Sequence, residues 1–174
     1  MHFTKIVSMI FAGALTMAGP AGAAPTSVLE VKIELRVLDF IASPNGRTVV
    51  AVLYDRDMRG SAEEAAAILQ ALEEWQGTGR SKILPRLVEL HALSSAKALK
   101  AIILPASLSD LSAMQYGLAN QTLVLSSGSA CLRDHHCMVG VSTQPEVEIG
   151  VDSPSIEDAR IQFADGFQLM VKEY

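Results

Sequence analysis

The chain has 174 residues, with 14 lysines and arginines against 19 aspartates and glutamates, for a net charge of −5. The basic residues are scattered, which excludes the cationic stripe that nucleic-acid binding uses, and the acidic balance argues against docking on anionic lipid. Aromatic residues make up only 5 % of the chain while alanine and leucine are abundant, so a helix-rich fold is expected over an all-β one.

The first segment reads as a secretory leader. Met1 to Lys5 carries one positive charge, Ile6 to Met17 is apolar apart from small or hydroxyl residues, and Gly19-Pro20 breaks any helix. Ala21-Gly22-Ala23 then supplies a small-x-small cleavage pattern, with the cut expected before Ala24. Twelve apolar positions are fewer than the ~20 that span a bilayer. Cleavage of residues 1–23 leaves 24–174 as the mature domain, with 13 basic and 19 acidic residues. No later stretch is long and apolar enough to span a membrane. The expectation is a periplasmic or secreted protein, long enough to bury a core of its own.

Ser27-Val28-Leu29-Glu30 is a capping box, and the apolar positions from Val31 to Ile41 form the broad face of a helix stopped by Ser43-Pro44-Asn45-Gly46. Thr48 to Tyr54 is a nearly continuous apolar, β-branched run, the mark of a strand buried on both faces. Ser61-Ala62-Glu63-Glu64 reads as a second capping box, opening a helix that Gly77 stops. A strand is expected over Arg86 to His91, a short helix over Ser94 to Lys100, and a buried strand over Ala101 to Leu104. Ser107-Leu108-Ser109-Asp110 opens a helix that runs to about Ala119, followed by a strand from Thr122 to Leu125. Met138 to Ser142 and Val147 to Val151 flank Gln144-Pro145-Glu146 as a hairpin. Ser153-Pro154 caps a final helix with Ile156, Ala159, Phe163, Phe167 and Met170 on one stripe. Strands alternating with helices imply right-handed β-α-β units. The expected fold is therefore a single three-layer α/β domain with a mainly parallel sheet and a late antiparallel hairpin.

Cys131 and Cys137 stand six positions apart as Cys-Leu-Arg-Asp-His-His-Cys. In an oxidising compartment they are expected to pair. The rival is metal binding through Cys131, His135, His136 and Cys137, although adjacent histidines on so short a loop rarely converge on one tetrahedral centre. A nucleophilic cysteine would be quenched by the second thiol. Arg133, Asp134, His135 and His136 lie inside the loop that pairing would close and are suited to contact with a partner. Ser126-Ser127-Gly128-Ser129 follows a strand end, where open α/β sheets bind ligands. No G-x-G-x-x-G or G-x-x-x-x-G-K-[ST] is present, so no nucleotide site is indicated.

Asp55-Arg56-Asp57 follows the first strand in the same manner; its acids suit either a cation or plain solvation. His91 is expected to be partly buried, and Trp75 to pack against the sheet. No nucleophile–base pair is legible, so neither enzymatic activity nor a cofactor or metal is expected.

Several phrases resemble the YfiR-like family of small periplasmic proteins. They are Val49-Val50-Ala51-Val52-Leu53-Tyr54, Ala101-Ile102-Ile103-Leu104-Pro105, Thr122-Leu123-Val124-Leu125-Ser126, Met138-Val139-Gly140-Val141 and Val147-Glu148-Ile149-Gly150-Val151-Asp152. The family's Trp-Pro after the first helix is reduced here to the proline of Ala42-Ser43-Pro44, and its Ile-Asn in the last strand is replaced by Ile149-Gly150. The resemblance implies a regulator that binds the periplasmic region of an inner-membrane diguanylate cyclase or sensor kinase. Release of that hold raises cyclic di-GMP and favours biofilm. It also implies a late disulfide, for which Cys131–Cys137 is the counterpart, and it allows a homodimer. The second reading is a single-lobe periplasmic small-ligand binding protein, and an exported hydrolase is the third.

Overall fold

The computed structural model describes residues 25–41, 48–77 and 83–174. The expected leader, its cleavage site and the Ser43–Gly46 helix stop lie outside the described residues.

Helix α1 (Val28–Asp39) begins as its capping box dictates: the Glu30 amide donates to Ser27 Oγ at 3.1 Å, and the Ser27 amide donates to Glu30 Oε2 at 2.8 Å. Its inner face buries Val31, Leu35 and Leu38 together with one acid, Glu34. Strand β1 (Thr48–Tyr54) follows, with Val50 to Leu53 fully enclosed. Helix α2 is described over Ser61–Gly77, and its second capping box does not form. Ser61 Oγ instead accepts the Asp55 amide at 3.0 Å, and the Glu64 carboxylate reaches away from its own helix end to other loops.

Strand β2 spans Ile83–Glu89, earlier than its periodicity suggests, because it pairs along its whole length with β1 (Thr48↔Ile83 through Tyr54↔Glu89). The expected helix over Ser94–Lys100 is instead a 3₁₀ turn at Leu90–Ser95. Ala98 then adopts a left-handed φ of 60°, and the Lys100 amide already bonds Val49 O at 3.0 Å as the chain enters the sheet. Strand β3 (Ala101–Leu104), helix α3 (Leu111–Asn120, capped by Asp110) and strand β4 (Leu123–Ser127) come next. A short helix α4 (Ala130–Arg133) leads into β5 (Val139–Ser142) and β6 (Glu148–Val151).

The long terminal helix is not formed. Helix α5 covers only Ser153–Asp158, with Asp152 rather than Ser153 as its cap, and Arg160 at φ 54° ends it. The apolar stripe beyond it is met by an irregular segment. Phe163 bridges to Ile41 and stacks on Phe167 with ring centroids 3.9 Å apart, and Phe167 opens a 3₁₀ turn (Phe167–Leu169) before β7 (Lys172–Glu173). Aromatic burial against α1 replaces helical repetition as the use of these side chains.

The seven strands lie in the order β2-β1-β3-β4-β5-β6-β7. The first five run parallel, β5 and β6 form the antiparallel hairpin, and β7 pairs parallel to β6. This is the expected single α/β domain with a late hairpin. From β1 the chain steps outward to β2, then returns across β1 to β3 and β4. Right-handed crossovers therefore place α2 and α3 on opposite faces, and α1 lies beside α2 over β4 and β5. Such a reversal of strand order opens a crevice at the carboxyl ends of the strands, where ligands bind in sheets of this type. Among the described residues no helix is long and apolar enough to cross a membrane.

Candidate functional site

The carboxyl ends of β3, β4 and β5, with the first turn of α1, enclose a cleft of about 520 Å³. Its walls include Ser27, Glu30, Ser109, Ser127, Cys131 and Thr143. Hydroxyl side chains recur along this lining because the strand ends are serine-rich, although most of the exposed lining is apolar. Ser126 and Ser127, which read as loop in the sequence, are the last residues of β4, and Ser126 Oγ donates to Leu104 O at 3.2 Å. Gly128, at φ 86°, turns the chain out of the sheet.

One wall is the cysteine loop. Cys131 and Cys137 are bonded, with sulfurs 2.00 Å apart and Cα atoms 5.4 Å apart. That removes both thiolates from the alternative metal set. Leu132 and Cys137 are buried in the core, whereas Arg133, Asp134 and His135 are exposed and His136 is half-buried. The two histidines diverge. His135 Nδ1 sits 3.1 Å from Asp152 Oδ2, and His136 Nδ1 is hydrogen-bonded to Ser109 Oγ. Burial would raise the Asp152 carboxyl, but bonds from His135 and Ser155 outweigh it and hold it below its ordinary range. The Ser109–His136 contact is a serine–histidine pair invisible in the sequence, since 27 positions separate the two. Among the described residues no carboxylate bonds the other ring nitrogen of His136, so the orienting member of a triad is missing.

Behind the opposite wall lies Glu34, fully buried in mid-α1. Its Oε1 accepts from Ser127 Oγ at 3.2 Å, and among the described residues Oε2 has no partner. Burial pushes this carboxyl up to about 8, and the nearby Glu30 and Glu64 charges add to the rise against the Ser127 bond. Sequence reading missed Glu34. The available signal was an acid on the Val31–Leu35–Leu38 stripe. Glu64 is the opposite case: burial would raise it, but bonds from Ser107 and Thr26 win and hold it below its ordinary range. Its carboxylate accepts from Thr26 N at 2.7 Å, Ala106 N at 3.0 Å and Ser107 N at 3.2 Å, tying the approach to α1 to the β3–α3 loop.

The remaining sequence candidates lie elsewhere. Asp55, Arg56 and Asp57 occupy the turn after β1, and Arg56 pairs with Glu89 at 2.9 Å. His91 is exposed rather than partly buried, because it belongs to the 3₁₀ turn and not to β2. Trp75 is half-buried against the core, with the Arg36 guanidinium 4.9 Å from its ring centroid.

No protein-family model matches the chain, and a search of characterised proteins found no match either.

Proposed function

We propose that this chain is a regulatory binding module of the cell envelope, a periplasmic repressor or sensor partner that engages an inner-membrane diguanylate cyclase or sensor kinase. The observation that carries this reading is the cysteine loop. Exposed Arg133, Asp134 and His135 project from a segment pinned by the Cys131–Cys137 bond and by buried Leu132. A contact surface fixed in advance loses little conformational entropy on binding. The element order and the late disulfide support kinship of role with the YfiR-like family, including assembly as a homodimer. A cyclic di-GMP reporter in cells carrying Arg133→Glu or Cys131→Ala/Cys137→Ala tests the reading. Derepression without loss of the protein from the periplasm is expected, and an unchanged reporter with both variants rejects it.

A single-lobe binding protein for a small ligand is the second reading, favoured by the hydroxyl-lined cleft beside the same loop. Thermal stabilisation by a periplasmic small-molecule extract, lost on Ser127→Ala, would favour it. Neither reading requires turnover, and Ser109→Ala is expected to leave no activity to lose against ester substrates.

A further inference from the structure

We propose that Asp55, Asp57 and His91 form a binding site for a divalent transition metal of the zinc type at the carboxyl ends of β1 and β2. Their ligand atoms all lie within 4.8 Å of one another. They come from two separate elements, brought together by strand pairing. Tyr54 and Glu89 are the last partners of the β1–β2 ladder, so the turn after β1 and the 3₁₀ turn after β2 leave the sheet side by side.

The aspartate turn is held from within. The Asp57 amide donates to Asp55 Oδ1 at 2.9 Å, and the Asp55 amide is fixed by buried Ser61. Arg56, the cation between the two acids, is drawn to Glu89 instead. Among the described residues neither aspartate carboxylate has an ion pair, and the His91 ring makes no hydrogen bond. Three ligand groups thus converge without satisfying one another. Tetrahedral coordination at zinc bond lengths puts ligand atoms about 3.4 Å apart, a contraction that rotation of these side chains supplies.

The site lies at the carboxyl ends of β1 and β2, beside rather than within the β1–β3 position where strand order reverses. One imidazole nitrogen with two carboxylates suits zinc and its first-row neighbours better than magnesium or calcium, which take oxygen sets. Three protein ligands leave a coordination position open. His91 also borders a groove of about 630 Å³ between the 3₁₀ turn and α3, with room for a group bound there.

The test is calorimetric titration of zinc chloride into tag-free protein. Wild type is expected to bind one zinc, with His91→Ala and Asp57→Asn each weakening binding at least tenfold and His135→Ala/His136→Ala leaving it unchanged. Both single substitutions are at exposed side chains, and circular dichroism confirms their folding. Absence of saturable zinc binding by wild type overturns the proposal. So does a His91→Ala protein that titrates like wild type, or binding that is lost only with His135 and His136.

Discussion

Ser127 Oγ donates across 3.2 Å to Glu34 Oε1, joining the last residue of β4 to the middle of α1 over 93 positions of sequence. The bond satisfies one oxygen of a fully buried carboxyl that has the Glu30 and Glu64 charges nearby. An ionised carboxylate there would be expensive, so the folded group keeps its proton through neutral pH and releases it at about pH 8.

Stability should carry the imprint of that proton. Between about 4.5, its ordinary value, and about 8, the folded chain holds a proton at Glu34 that the unfolded chain has released. Stability therefore falls as pH rises through this window, by up to about 1.4 kcal/mol per unit and roughly 3 kcal/mol from pH 5 to pH 8. Glu34→Gln keeps an acceptor for Ser127 and has no charge to lose. Urea unfolding should find the variant more stable than wild type at pH 8 and close to it at pH 5. Parallel pH profiles would contradict the assignment.

Glu64 should behave in the opposite sense. Its carboxylate accepts the Ala106 and Ser107 amides and both polar groups of Thr26. Glu64→Ala leaves the half-buried Ser107 amide without its acceptor and the Ala106 amide with Thr26 Oγ1 alone, a loss of about 1 to 2 kcal/mol. Because the folded carboxyl lies below its ordinary range, its contribution is present at neutral pH and is lost as pH falls through the folded value. The gap between wild type and Glu64→Ala should narrow in acid, as read by chemical denaturation at pH 7 and pH 3.

Removing the disulfide should weaken the fold without abolishing it. Closing a loop this short stabilises by roughly 2 to 2.5 kcal/mol through loop-closure entropy. For a domain of this size that corresponds to a melting point roughly 5 to 9 °C lower in Cys131→Ala/Cys137→Ala. The cavity at buried Cys137 adds to the loss. Calorimetry with circular dichroism checks it, and a variant that fails to fold would assign the bond a larger structural part.

The paired glycines of the hairpin should differ in tolerance. Gly140 and Gly150 are register partners, and Leu132 packs over both. A Cβ at Gly140 would lie 2.7 Å from the Gly128 carbonyl, whereas one at Gly150 would meet only the Leu132 and Tyr174 side chains. Gly140→Ala is expected to cost about 1 to 3 kcal/mol by overpacking. Gly150→Ala should cost less, since side chains give way where backbone does not. Equal losses in thermal unfolding would show that Leu132 limits both sites.

Local chemistry determined much of this protein. The Ser27–Glu30 box starts α1, the apolar runs at Thr48–Tyr54 and Ala101–Leu104 make central strands, and the alternation of elements specifies a mainly parallel sheet. The two cysteines also announce their bond, because six positions of separation bring them within reach whatever surrounds them. Tertiary structure decided the rest. Phe163, Phe167 and Met170 fit a helical stripe, but aromatic packing against α1 outweighs weak helix propensity past Arg160. The Ser61–Glu64 pair has capping spacing, yet the Ala106 and Ser107 amides and Thr26 compete for the same carboxylate and win. The Glu34–Ser127 and Ser109–His136 bonds and the approach of Asp57 to His91 depend on strand order, which brings residues far apart in sequence together at the carboxyl ends of the strands. Spacing along a chain cannot encode that, because hydrogen bonds and burial act on distance in space.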